Sequence, residues 1–153
     1  MSTYRIGIDP GVSGGIVILR DLNPMCWSRM PILKQGKSSR VDGAALARIL
    51  QPYYEKHAYV ELVGAMPGQG VTSMFTFGHA AGSIDGVLSA LGIPVTKVAP
   101  QAWKRRAGLI GKDKDAARSR AIQLWPAWGA LGKKGEGQAL ADAALIARFG
   151  EAA

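Results

Sequence analysis

The chain has 153 residues, 48% hydrophobic and 20% charged, with 19 Lys and Arg against 11 Asp and Glu and a net charge of +8 at pH 7. That size gives one domain with a hydrophobic core of its own, and the composition excludes wholesale disorder. One cysteine excludes an internal disulfide and a Cys-rich zinc site, and no apolar run approaches the ~18 residues of a membrane span, so a soluble cytoplasmic protein with no membrane partner is expected.

Residues 4–9 read as a buried strand ending in Asp9, followed by the tight turn Pro10-Gly11-Val12-Ser13-Gly14-Gly15 and a second strand over 14–19. Across the Asp21-Leu22-Asn23-Pro24 turn a third strand runs from Met25 to Pro31. Lys34 to Arg40 reads as a polar, basic loop without an apolar anchor. Asp42 is placed to cap a helix that carries Leu46, Ile49, Leu50 and Tyr53 at helical spacing. A short fourth strand, 59–61, ends in Glu61 and runs into the Gly- and Pro-broken stretch 64–70. A long helix is expected over 73–91 and a fifth strand over 95–98. A short helix opened by Pro100, another over 113–124 and a last one over 138–149 follow, with 126–137 as a mobile Gly/Lys-rich connector. Three turn-linked strands, then helix–strand–helix–strand–helix, predict an α/β fold with a mixed five-stranded sheet flanked by helices.

Asp9, Glu61 and Asp142 carry the most information. The first two end apolar strands, and the third sits in the otherwise apolar run Ala139–Ala147. A carboxylate in such a segment is costly to bury unless it is paired or holds a metal. Three of them on a basic chain point to a divalent ion facing a polyanion, and Mg²⁺ prefers carboxylate and water oxygens. The glycine turn after Asp9 has a second reading, a phosphate cradle like that opening the sugar-kinase and actin-like ATPases. That reading fails on length, because their fold needs two such domains around the nucleotide. Phosphodiester hydrolysis with two metals about 3.5–4 Å apart needs a bridging carboxylate and flanking ones. Asp9, on the central first strand, is the natural bridge, and Glu61 is expected beside it if the fourth strand lies next to the first. A lysine would neutralise charge on the phosphoryl group, and Lys104, Lys112 and Lys114 are the candidates.

The excess of positive charge favours nucleic acid as partner. It falls in three groups: Lys34, Lys37 and Arg40; Lys104, Arg105, Arg106, Lys112, Lys114, Arg118 and Arg120; and Lys133 with Lys134. Such clusters suit phosphate contacts that bind without reading bases. Met74, Phe75 and Phe77 have two readings, as wedges between bases or as core and dimer contacts. Trp103, Trp125 and Trp128 read as packing, and the isolated His57 and His79 as structural.

Several motifs recur in a familiar order. They are Gly-Ile-Asp-Pro-Gly (7–11); Val60-Glu61 with Met66-Pro67-Gly68-Gln69-Gly70 behind it; Ser73-Met74-Phe75 with Phe77-Gly78 and Gly82; Pro100-Gln101-Ala102-Trp103-Lys104; Gly111-Lys112-Asp113-Lys114; and Ala141-Asp142-Ala143. Together they resemble the RuvC family of Holliday-junction resolvases, above all its short phage-encoded members, from Gly7 to Gly150. The resemblance implies a ribonuclease H-like fold, with 1–153 as a single nuclease domain, and a homodimer whose expected interface is the 73–91 helix. It also implies cutting of paired strands at four-way DNA junctions with Mg²⁺ (or Mn²⁺), two ions per active site, in a bacterial or phage-infected cytoplasm. Carried over residue by residue, Asp9, Glu61 and Asp142 are metal-binding carboxylates, and Lys104 and Lys114 match two basic residues near the scissile phosphate. The family's fourth Asp or His, three residues before the last acid, is Ala139 here, with Gln138 and Glu136 as the nearby substitutes. Two rival readings stay open: a broader fork and flap nuclease of phage replication and packaging, and a non-catalytic junction-binding relative, which Ala139 makes plausible.

Overall fold

The computed structural model describes residues 2–151. The chain runs through β1 (Tyr4–Asp9), β2 (Gly15–Arg20), β3 (Asn23–Arg29), β4 (Ile32–Gln35), β5 (Ser38–Val41), α1 (Gly43–Leu50), β6 (Lys56–Glu61), α2 (Val71–Ala90), β7 (Val95–Val98), α3 (Pro100–Ala107), α4 (Asp115–Leu124), a 3₁₀ turn (Gly129–Gly132) and α5 (Lys134–Phe149). The main sheet has the order β3-β2-β1-β6-β7. The first three strands meander antiparallel, and β6 and β7 add parallel to β1 on its other side. This is the mixed five-stranded sheet that the sequence predicts.

Strand alternation splits the core in two. On one face Ile6, Ile8, Ile16 and Ile18 meet Leu46 and Leu50 of α1 and Ala80, Ile84 and Leu88 of α2. On the other, Val17, Leu19 and Val98 meet Trp103, Leu131 and the apolar side of α5. Fully burying each Leu or Ile stabilises the fold by about 1.5–3 kcal/mol, so every layer is firmly held. The second face is closed by small residues. A Cβ at Gly7 would overlap the carbonyl oxygen of Ala143, and one at Gly15 would press 3.0 Å from that of Ala139. Helix α5 therefore lies directly on the backbones of β1 and β2.

Three segments depart from the expected boundaries. Residues 34–40 are not an open loop. They belong to a β4–β5 hairpin with Leu33 opposite Arg40, Lys34 opposite Ser39 and Gln35 opposite Ser38, turning at Gly36 with φ 59°. Strand β6 starts at Lys56 rather than Tyr59, because Lys56 donates from Nζ to the carbonyls of Leu50 and Gln51 at the end of α1, and His57 hydrogen-bonds Thr96. The stretch read as a connector, 126–137, carries structure of its own: Trp128 and Leu131 are buried, and α5 begins at Lys134.

Candidate active site

Parallel pairing of β1 and β6 sets Ile8 beside Val60, so the next residues, Asp9 and Glu61, leave neighbouring strand ends together. The third acid arrives from the helix. Because α5 rests on Gly7 through Ala143, the preceding residue, Asp142, is held at the same end of the sheet. Sequence-distant carboxylates thus meet through one parallel strand pair and one glycine-mediated helix contact.

They sense one another strongly. Asp9 is pushed up to about 8, first by burial, then by the negative charges of Asp142 and Glu61, with Lys104 opposing. Asp142 is pushed up to about 6 by burial and by Glu61, while a hydrogen bond from Gln138 and the charge of Lys104 hold it down. Two of the acids are tethered by one oxygen each. Trp103 Nε1 donates to Glu61 Oε2 at 2.7 Å, and Gln138 Nε2 donates to Asp142 Oδ1 at 3.2 Å. The other oxygen of each carboxylate accepts no further hydrogen bond from the described residues. Among the described residues no three Asp, Glu, His or Cys side chains stand close enough, as they are, to hold an ion. The donor chemistry nonetheless fits a hard divalent cation: desolvated carboxylates that repel one another, each with oxygen to spare.

Beside Asp142 lies a cavity of about 510 Å³ lined by Lys104, Lys112, Lys114, Gln138 and Trp103 among others. Lys104 comes from the last turn of α3, and Lys112 and Lys114 come from the loop joining α3 to α4. All three lysines singled out from the sequence therefore border the same space.

The remaining residues of the middle basic cluster divide. Arg105 is exposed on α3. Arg106 donates to the carbonyls of Phe149 and Glu151 and pins the end of the chain. Arg118 pairs with Asp115 and donates to the carbonyl of Leu131, and Arg120 donates to that of Ala107. A guanidinium carries five N–H donors, so these contacts leave Arg106 and Arg118 donors for the phosphate expected there. Phe75 stands 73% exposed in the first turns of α2, whereas Phe77 covers the turn behind Asp9, its ring 3.2 Å from the Cβ position of Gly11. Lys34, Lys37 and Arg40 lie on the β4–β5 hairpin. Ala139 is buried, and of the substitutes considered for it only Gln138 bonds to Asp142. Trp103, read as packing, is 1% exposed and also orients Glu61. Nothing in the sequence signals that second role, since the partner lies 42 residues away.

No family model matches the chain. Over 128 residues it is 32% identical to the chloroplastic Holliday junction resolvase MOC1 of Chlamydomonas reinhardtii, a match that covers 80% of this chain but only 14% of that protein. The Thermus thermophilus RuvC structure superposes with a TM-score of 0.57 at 16% identity, covering 97% of this chain and 94% of that one. The structure of T. thermophilus RuvC in complex with Holliday junction substrate superposes with a TM-score of 0.64 at 18% identity, covering 96% and 91%. Its strand order, its helices and this likeness give the chain a ribonuclease H-like fold, the fold of the two RuvC structures.

Proposed function

We propose that the protein is a Mg²⁺-dependent, structure-specific endonuclease that cuts four-way DNA junctions as a homodimer. One observation carries this reading: at one end of the sheet burial and the charges of neighbouring acids raise the proton affinity of Asp9 and Asp142, beside a cavity lined by lysines. Mutual repulsion of that kind in a desolvated crevice is relieved by a divalent cation, and the adjoining positive wall suits a phosphodiester. Asp9, on the central strand, would hold the ions together with Glu61 and Asp142. Bound there, they would supply activation of the attacking water and stabilisation of the leaving oxygen. Trp103 and Gln138 keep the flanking carboxylates oriented, which lowers the reorganisation needed on loading. Lys104 and Lys114, both lining that cavity, would offset negative charge on the transferring phosphoryl group.

A dimer is supported by the substrate and by α2. Two symmetric cuts call for two sites related by a twofold axis. Helix α2 leaves a face with Phe75, Gly78, Gly82 and Gly86 uncovered, and a Cβ at any of the three glycines would meet nothing within 4 Å. That face admits a second helix closely. The MOC1 and RuvC names supply the junction as substrate.

The test is nicking of end-labelled four-way junctions with Mg²⁺, set against Asp9→Asn and against a flap of the same sequence. Paired nicks on the junction, absent with Asp9→Asn, are expected. Equal cutting of the flap would favour a broader branched-DNA nuclease, and no cutting at all would leave a binding protein.

A further inference from the structure

We propose that Trp103, seconded by Gln138, biases the choice of ion at this site. Each holds one oxygen of a carboxylate and so denies an ion bidentate coordination, which disfavours Ca²⁺ relative to a small octahedral cation such as Mg²⁺. This selectivity rests on the metal reading above and adds what chooses the ion. Trp103 and Gln138 are positioning residues in it, acting through Glu61 and Asp142.

Strand register delivers the indole to Glu61. Glu61 pairs with Val98 on β7, and the next N–H, that of Leu62, donates to the Val98 carbonyl at 2.7 Å. The chain then passes from Val98 straight into α3, opened by Pro100, whose first turn carries Trp103. The indole belongs to the core on the α5 side of the sheet, in one cluster with Val98, Ala107 and Leu145. Close packing fixes such a ring, so its N–H meets Glu61 Oε2 from a rigid frame. Gln138 acts on Asp142 from one turn earlier on α5, through a bond 0.5 Å longer, 3.2 Å against 2.7 Å, and from a partly exposed side chain. It is the weaker of the two locks.

The oxygens left over differ among the acids. Glu61 keeps Oε1 free and Asp142 keeps Oδ2, whereas Asp9 accepts no side-chain or backbone hydrogen bond on either carboxylate oxygen among the described residues. Bidentate coordination needs both oxygens of a carboxylate turned equally toward the ion, and a short bond to a fixed N–H turns Oε2 of Glu61 elsewhere. Ca²⁺ takes about 6–8 oxygens at roughly 2.3–2.6 Å and often draws two from one carboxylate. Mg²⁺ takes about six at roughly 2.0–2.1 Å, keeps several waters, and needs only single oxygens from one or two carboxylates. Acids that present one oxygen each meet the second demand and fall short of the first.

Metal affinity is read without DNA or cleavage, from the rise in Tm across separate Mg²⁺ and Ca²⁺ titrations at constant ionic strength. Trp103→Phe keeps an aromatic ring in the core and removes the donor. Gln138→Leu removes the other donor and leaves α3 untouched, so it carries the test if the first variant does not fold; circular dichroism checks both. Trp103→Phe should lose about tenfold in Mg²⁺ affinity, as outer-shell hydrogen bonds to a metal ligand do, while Ca²⁺ affinity holds or rises. The ratio of the two affinities should therefore move toward Ca²⁺ by about tenfold or more, and by less in Gln138→Leu. A merely structural role would weaken both ions alike. An unchanged ratio, or one that moves toward Mg²⁺, overturns the proposal. If neither ion raises the Tm of wild type, the metal reading itself fails and the selectivity falls with it, a result distinct from two ions that bind with a constant ratio.

Discussion

Replacing Asp9 by asparagine should stabilise the metal-free protein, by an amount that grows with pH. In the fold the Asp9 carboxyl is raised from its ordinary 3.8 to about 8. Between those two values the unfolded chain has released this proton and the folded one retains it. Folding stability therefore falls as pH rises through that window, by about 1.4 kcal/mol per pH unit from this group alone. Summed over the window the effect is roughly 6 kcal/mol at most, and about half of that once water entering an open crevice is allowed for. Asparagine cannot ionise, so its stability curve lacks this decline. Urea unfolding in EDTA, at constant ionic strength across the window, should show the two proteins level at its acid end and roughly 3 kcal/mol apart, variant ahead, at its alkaline end. Asp142 still titrates in both, so the difference isolates Asp9. Adding Mg²⁺ should reverse the order, because only wild type gains a cation that neutralises the cluster. Parallel curves in EDTA would refute the argument: Asp9 would then be solvated, and its proximity to Asp142 and Glu61 would carry no energetic weight.

Glu61→Gln and Asp142→Asn should each abolish cleavage while leaving junction binding intact or tighter, read by gel shift beside a cleavage assay. Lys104→Ala and Lys114→Ala should lower the single-turnover rate at saturating DNA far more than they lower affinity; a pure affinity change would move both lysines to the docking surface. Gly7→Ala should destabilise the protein by about 3 kcal/mol or more, seen as a fall in Tm, because the new methyl group displaces α5. Arg118→Ala should reduce stability by about 1–2 kcal/mol, seen as a fall in Tm, since its guanidinium serves Asp115 and the Leu131 carbonyl.

The parts of the fold legible in the sequence are those written in apolar pattern and turn chemistry. Ile6, Ile8 and the Pro10–Gly15 turn mark β1 and its neighbour, and the parallel β1–β6 pair lies where the strand–helix order put it. The hairpin was not legible because Lys34-Gln35-Gly36-Lys37 offers no alternation: both faces of β4 meet solvent, so neither needs to be apolar. The start of β6 was hidden in the same way, since Lys56 and His57 earn their places by hydrogen bonds to distant partners. In the site, the acids stand out because carboxylates in apolar runs are rare. The tethers from Trp103 and Gln138 do not, because which side chain faces which acid depends on how α3 and α5 dock. The carbonyl partners of Arg106 and Arg118 were equally out of reach: a charge count does not show which backbone oxygens an arginine meets.

The bare contact between Gly7 on β1 and Ala143 on α5 acts as a hard stop. Where strand and helix are spaced by large side chains, exchange of those side chains over evolutionary time slides one element against the other, and whatever each carries slides too. Here no side chain of adjustable length stands between them. The gap from Asp9 to Asp142 is calibrated by backbone atoms in contact, so drift in either hydrophobic layer changes how firmly the protein folds but not the spacing of the carboxylates in the proposed ion site.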